Sequence, residues 1–293
     1  MAGQNLTSLD DALDHLLARA RAVTETETLP LHRTLGRVLA TDIAVPADVP
    51  PADNSAVDGY AVRAADLAAN TVLPVSARVA AGEAPGGLEP GTAVRLFTGS
   101  EIPAGADAVV MQERTESKGD GIAITAEVDI GQNIRRQGQD LSKGALALSA
   151  GTPIRPQEMG LLGSMGIGEV TVWRRLKVAV FSTGDELVEP GQPLQPGQIY
   201  NTNRFTLTGL LEAVGCEVTR CETLRDRREA TRDSLEAAAQ EADLIITSGG
   251  VSVGEEDHVR AVLEEAGELS LWRLAIKPGK PLAFGTIGGT PVL

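Results

Sequence analysis

Val178-Ala179-Val180-Phe181-Ser182-Thr183-Gly184-Asp185-Glu186 runs four apolar residues into a polar turn that carries a glycine and two acids. Asp243-Leu244-Ile245-Ile246-Thr247-Ser248-Gly249-Gly250 repeats the arrangement, and Leu274-Ala275-Ile276 does so again before Lys277-Pro278-Gly279-Lys280. Short apolar runs of this kind are strands buried on both faces of a parallel sheet, and in open α/β sheets ligands sit where such strands end. One sheet edge is therefore expected to carry the chemistry.

Outward from these turns, the chain from Leu176 alternates strand, helix (about 203–214), strand (217–224), helix (228–241), strand (243–247), helix (256–266) and strand (271–276). That alternation predicts a doubly wound, mainly parallel α/β domain over 176–293. Leu282-Ala283-Phe284 and Thr290-Pro291-Val292-Leu293 read as a strand pair turned at Gly288-Gly289, and because the chain stops inside an apolar run the domain is expected to be incomplete at its end. Upstream, 72–79, 92–97, 107–112 and 122–128 are β-branched or alternating runs parted by Gly, Pro and Asp, which predicts an elongated β-rich domain over 46–144. Ser8, with Asp11 three residues on, caps an amphipathic helix whose Leu9, Leu13, Leu16 and Leu17 are expected in the core. Pro156 opens a second helix that stops at Gly163, Gly166 and Gly168. With the Leu-Pro and Val-Pro units between 28 and 48, these helices give a small helical and linker scaffold of 1–45 and 145–175. The fold class is a multidomain α/β protein.

The 293 residues carry 40 Asp and Glu against 26 Lys and Arg, a net charge of −14. Nucleic acid and anionic membranes are gripped by massed basic residues, so this balance argues against both as partners. An aromatic content of 3% also leaves little for base stacking. No apolar run approaches the roughly 18 residues of a membrane span, and no basic flank precedes an apolar core at the N-terminus, so the expected location is the cytoplasm. Cys216 and Cys221, five apart on a strand-like run, point to opposite faces and suit neither a disulfide nor a metal pair. His15, His32 and His258 show no ligand spacing.

Glycines at a strand-to-helix turn let backbone N–H groups approach a phosphate, while the helix N-terminus adds partial positive charge. Ser248-Gly249-Gly250-Val251-Ser252-Val253-Gly254 suits that role, although an ordinary tight turn would read the same. Glu255, Glu256 and Asp257 then crowd the first helical turn beyond what capping needs. Carboxylates beside a phosphate site point to Mg²⁺, a hard cation that lets like charges coexist. Asp185, Glu186, Asp226 and Asp257 all follow strands on the same expected edge. Each alone is a common loop residue, and their co-location is the argument. Lys277-Pro278-Gly279-Lys280 sets two cations on a stiff turn at that edge, which suits a compact oxyanion. The loop is not a Walker A motif, because Leu274 stands five before Gly279 where that motif needs glycine. Asp53 to Tyr60, Thr98-Gly99, and Asn133-Ile134-Arg135-Arg136 with Asp140 are turn formers, and the paired arginines in an acidic chain hint at an anion.

Taken together, DNSAVDGYAVR (53–63), FTGSEIPAGADAVVMQE (97–113), GQNIRRQGQDL (131–141), STGDEL (182–187), IYNTNR (199–204), SGGVSVGEEDHV (248–259) and AIKPGKPLAFG (275–285) resemble the molybdopterin molybdenumtransferases, the MoeA and gephyrin E-domain family. The motifs follow the family's order across nearly the whole chain. The resemblance implies an enzyme that takes adenylylated molybdopterin and molybdate, releases AMP with Mg²⁺, and leaves the metal on the dithiolene. It also implies a homodimer whose active site lies between one subunit's α/β domain and its partner's β-rich domain, and contact with molybdopterin adenylyltransferase. By motif, Asp58, Thr98 and Asp140 would face the site from the β-rich domain, with Arg135 and Arg136 on the substrate. Glu186, Asp226, Ser252 and Asp257 would serve nucleotide, metal and hydrolysis, Glu186 and Asp257 as Mg²⁺ ligands. Thr183, Gly184 and Asp185 would bind substrate, Ser248, Gly249 and Gly250 would line the phosphate, and Lys277 and Lys280 would receive molybdate. Phosphoanhydride cleavage needs charge neutralisation and a positioned water more than a covalent nucleophile, and no nucleophile motif is present.

Arg273 stands where the family commonly has Lys, Gln139 where Glu is usual, and His258 where Tyr is common. The family's Gly-Leu-Pro-Gly-Asn-Pro-type segment and C-terminal β domain do not follow Leu293, so a truncated member is expected. Two other readings compete. Molybdopterin adenylyltransferase shares the α/β domain but lacks the 53–63 and 131–141 motifs. A catalytically impaired pterin-binding or scaffold chain would hold the nucleotide without releasing AMP.

Overall fold

The structure, a computed structural model, describes residues 6–68, 71–225, 227–250, 258–266, 269–276 and 281–293. They form two compact units, one of 28–172 and one that joins the segment up to Glu27 to 173–293. Helix α1 (Leu9–Leu17) starts as its sequence directs, with the Ser8 hydroxyl accepting from the Asp11 amide at 3.0 Å. Its apolar face differs from expectation. Only Ala12 is buried, whereas Leu9, Leu13 and Leu17 stay 48%, 45% and 68% exposed. The reason is that Leu13, Leu16 and Leu17 border an open cavity of about 480 Å³ shared with Leu176, Phe284 and Pro291 of the same unit, not a closed core.

The 28–172 unit is built on a six-stranded sheet in the spatial order Ala108–Met111, Gly59–Val62, Ala93–Leu96, Val72–Val79, Gly121–Ile124, Thr115–Lys118. Successive side chains point to opposite faces of a strand, and here both faces are covered. Val62, Ala93 and Val110 join one apolar cluster while their neighbours Ala61, Val94 and Val109 join another. Thr115–Lys118 is mostly exposed, which is why its polar sequence gave no strand signal. Helix α2 (Pro156–Ser164) begins with its proline and packs Leu162 against Leu39, Ile154 and Val172 in a third cluster.

The other unit also carries six strands, in the order Glu217–Leu224, Lys177–Thr183, Leu244–Ser248, Thr290–Val292, Pro281–Ile287, Leu269–Arg273. The first four are parallel, Pro281–Ile287 runs antiparallel to both of its neighbours, and Leu269–Arg273 therefore points the same way as the first four. Five of the six strands thus share one direction, as a mainly parallel sheet requires, and the reversed strand is the one paired with Thr290–Val292 across Gly288-Gly289. The link from Arg273 to Pro281 is too short for a parallel crossover, which needs about a dozen residues or more, so those two strands pair antiparallel. Lys177–Thr183 is buried from Val178 to Ser182, as its apolar run requires. Helix α3 (Asn203–Ala213) buries none of its residues. Helices α4 (Arg228–Ala239) and α5 (His258–Ala266) bury Leu235, Ala238, Val262 and Leu263 against Ala179, Phe181 and Ile245. Thr7 adds to the far edge, its amide donating to the Arg273 carbonyl at 2.9 Å and its carbonyl accepting from the Ala275 amide at 2.8 Å. Cys216 and Cys221 are free thiols, and among the described residues no helix is long and apolar enough to cross a membrane.

Candidate functional site

In the unit containing 173–293, the parallel strands Lys177–Thr183 and Leu244–Ser248 pair from Val178–Leu244 to Ser182–Ser248, so their C-terminal turns emerge side by side. Thr183, Glu186, Ser248 and Gly249 line one cavity of about 280 Å³ there, together with Asn201 and Asn203. Gly184 has φ +141°, and the Glu186 carboxylate sits where a side chain on Gly184 would begin. Gly249 has φ +102°, and a Cβ on it would lie 2.5 Å from Thr183 Oγ1. Both turns therefore need glycine for backbone conformation, and the Gly249 turn for room as well, since the exposed Glu186 side chain can swing away from Gly184. Gly250 (φ +71°) does not reach the cavity; it packs against Val259 of α5, and its carbonyl accepts from the Arg260 amide at 3.1 Å. Asp185 is exposed and does not line the cavity.

Residues 199–204 complete the site, and although the motif is visible in the sequence no role was assigned to it. Asn203 Nδ2 donates to Ser248 Oγ at 2.6 Å, joining the start of α3 to the glycine turn. Asn201 is buried, accepts from Ser182 Oγ at 3.3 Å, and donates to Thr223 Oγ1 at 3.0 Å. Thr202 and Asn203 bring the N-terminus of α3 to the cavity, so its partial positive charge meets whatever anion enters. The signal that could have found Asn203 is an asparagine at the first turn of a helix that follows a strand. Hydroxyls, a carboxylate, a tight glycine turn and a helix start make a setting for a phosphate ester. Asp226, Ser252, Asp257, Lys277 and Lys280 lie outside the described residues.

The 28–172 unit brings the other expected residues together around Ser55. The Ser55 amide donates to the Ser100 carbonyl at 2.9 Å, and its carbonyl accepts from the Gly99 amide at 2.8 Å. Ser55 also pairs with Ile134, and Asn54 with Arg135. Three separated motifs thus meet at one serine. Asp58 Oδ1 accepts from both the amide and the hydroxyl of Thr98 at 2.8 Å. Those two bonds, the amide first, and then the charge of Arg95 hold the Asp58 carboxyl below the usual carboxylate range. Arg135 pairs with Asp140, and Arg136 with Asp53 at 2.5 Å. The Gln137 amide, ahead of Arg136, keeps the Asp53 carboxyl low as well. Both arginines are therefore already engaged with carboxylates of their own chain, and an anion would have to compete for them.

Residues 7–166 match the model of the MoeA N-terminal region (domain I and II), and 179–292 match that of the probable molybdopterin binding domain. The chain is 48% identical over 284 residues to a molybdopterin molybdenumtransferase of Haemophilus influenzae, covering 96% of this chain and 70% of that protein. It is 39% identical over 278 residues to molybdopterin molybdenumtransferase 2 of Mycobacterium tuberculosis, covering 91% and 69%. The crystal structure of a molybdopterin biosynthesis MoeA protein from Pyrococcus horikoshii superposes with a TM-score of 0.82 at 36% identity, over 98% of this chain and 73% of that one.

Proposed function

Because the chain belongs to the molybdopterin molybdenumtransferase family, we propose that it acts in molybdenum cofactor biosynthesis, transferring molybdate to adenylylated molybdopterin with release of AMP. The observation that carries this reading is the meeting of Thr183, Glu186, Asn203, Ser248 and Gly249 at the C-terminal edge of a parallel sheet. Ser248, whose oxygen already accepts from Asn203, is left to donate its own proton to a phosphate oxygen. Gly249 lets the backbone approach that group, and the start of α3 favours its negative charge.

The side-chain donors around the cavity, Glu186, Thr183, Ser248 and Asn201, offer oxygen, which suits a hard cation. Glu186, with Asp257, would hold Mg²⁺, which when bound neutralises charge on the phosphoanhydride. Asp185 and Gly184 shape the same turn, while Asp226 and Ser252 serve nucleotide and hydrolysis, and Lys277 and Lys280 receive molybdate. From the other unit Asp58, Thr98 and Asp140 face the reacting group, and Arg135 and Arg136 take its anionic part in exchange for Asp140 and Asp53. In this proposal the site is shared within a homodimer, and the exposed Leu9, Leu13 and Leu17 supply apolar surface of the kind a second copy covers. The protein works in the cytoplasm and receives its substrate from molybdopterin adenylyltransferase.

The test is AMP release from adenylylated molybdopterin by the purified chain in Mg²⁺, with and without molybdate. Molybdate-dependent release is expected, and Glu186→Gln is expected to retain the pterin nucleotide while releasing little AMP. Nucleotide held by the wild-type chain without any release would overturn transfer in favour of a binding role.

A further inference from the structure

One cluster on the sheet of the 28–172 unit touches the site proposed above only through the charge that Arg95 exerts on Asp58, and is given no ligand there. Tyr60 stands opposite Arg95 on the neighbouring strand, and Arg95 stands opposite Arg78 on the next. Phe97, two residues beyond Arg95, falls on the same side of the sheet. The Arg78 guanidinium carbon lies 4.6 Å from the centre of the Phe97 ring, and that of Arg95 lies 5.1 Å from the same ring and 5.0 Å from the ring of Tyr60. Two cations thus share one phenyl ring, all within cation–π range.

Elsewhere in this unit Arg63 holds Asp66, Arg135 holds Asp140, Arg136 holds Asp53 and Arg155 holds Glu158. Among the described residues Arg78 and Arg95 hold no carboxylate. Arg95 donates only to neutral acceptors, the Gly59 carbonyl at 3.4 Å and Gln112 Oε1 at 2.5 Å. A guanidinium carries five N–H donors in its plane, so most of those on this pair are left for a ligand. The ring contacts hold the two guanidinium groups in place without using up their N–H donors, and those donors make the paired N–H···O bonds that recognise oxyanions. Asp58 feels the charge of Arg95, but it is one anion against two cations and is already bonded to Thr98.

We propose that Arg78 and Arg95, held by Phe97 and Tyr60, form an oxyanion site on this sheet face that takes a phosphate dianion, either free or carried by a small phosphomonoester. The inference does not rest on the transfer reaction. The test follows the side-chain Nε–H resonances of Arg78 and Arg95 in the full chain during separate titrations with inorganic phosphate and glycerol 2-phosphate. Both resonances are expected to move on one saturating curve. Arg78→Gln and Arg95→Gln should each weaken binding about tenfold, the worth of one charged hydrogen-bonding group, and Arg63→Gln should leave it unchanged. Tighter binding of glycerol 2-phosphate identifies a carried phosphate, and equal or tighter binding of inorganic phosphate identifies the free ion. Arg95→Lys keeps the charge without the planar fork, so it too should bind more weakly, and it decides the matter where a glutamine variant fails to fold. Absence of saturation, or saturation indifferent to the Arg78 and Arg95 variants, overturns the site. Phosphate bound at Lys277 and Lys280 would move neither arginine resonance, so the two proposals fail separately.

Discussion

Thr98 gives Asp58 two hydrogen bonds, and only one of them depends on its side chain. In Thr98→Ala the amide, the larger contributor, remains. Asp58 should then titrate above its wild-type midpoint yet still below the ordinary 3.8, as read by carboxyl NMR; an unmoved midpoint would uncouple the two residues. Gly249 separates conformation from crowding when set beside Gly197. Both have positive φ, but a Cβ on Gly197 meets nothing within 4 Å, whereas one on Gly249 meets Thr183. Gly249→Ala should therefore lose about 1–3 kcal/mol in urea unfolding, more than Gly197→Ala. Thr183, Glu186, Ser248 and Gly249 were legible in the sequence because a strand breaking into a polar turn is a local pattern. The bond from Asn203 to Ser248 and the contact of Arg78 and Arg95 with Phe97 were not, since both depend on which strands and turns become neighbours.

Helix α2 starts on a carboxylate that is itself held. Arg155 donates to Glu158 through Nε at 3.0 Å and Nη2 at 2.7 Å, and the Arg155 amide donates to Oε2 at 2.9 Å. The guanidinium first, then that amide, lowers the Glu158 carboxyl from 4.5 to about 2. A depressed folded pKa stabilises above the unfolded value and ceases to do so as pH falls through the folded one. The gap in melting temperature between wild type and Glu158→Gln should be full above 4.5 and shrink to nothing as pH falls to about 2; a gap constant across that range would remove Glu158 from the helix cap. Elements with an internal period or a stop signal were readable in advance, α2 with its leading proline and Glu217–Leu224 among them. Thr115–Lys118 was hidden because an exposed edge strand has no apolar alternation. The leucines of α1 misled because amphipathicity reports that a face seeks cover without saying what covers it.

Across the molecule, a net charge of −14 sets like charges against one another in the folded state. Raising NaCl from about 10 to about 150 mM screens that repulsion, so the melting temperature should climb by several degrees; a flat or falling curve would mean that the ion pairs of the surface outweigh it. Composition made this legible without any structure. What composition could not convey is that one compact unit is continuous in the chain while the other is assembled from its two ends, with Thr7 bonded to the backbone at Arg273 and Ala275. On the ribosome, 28–172 emerges whole and can close its own apolar clusters at once. The segment carrying α1 cannot: its strand partner is synthesised roughly 270 residues later, a delay on the order of 15–50 s at about 5–20 residues per second. Until Phe284 and Pro291 follow, the leucines of α1 lack residues that border them in the finished unit, so the helix made first is among the last parts of the molecule to be seated.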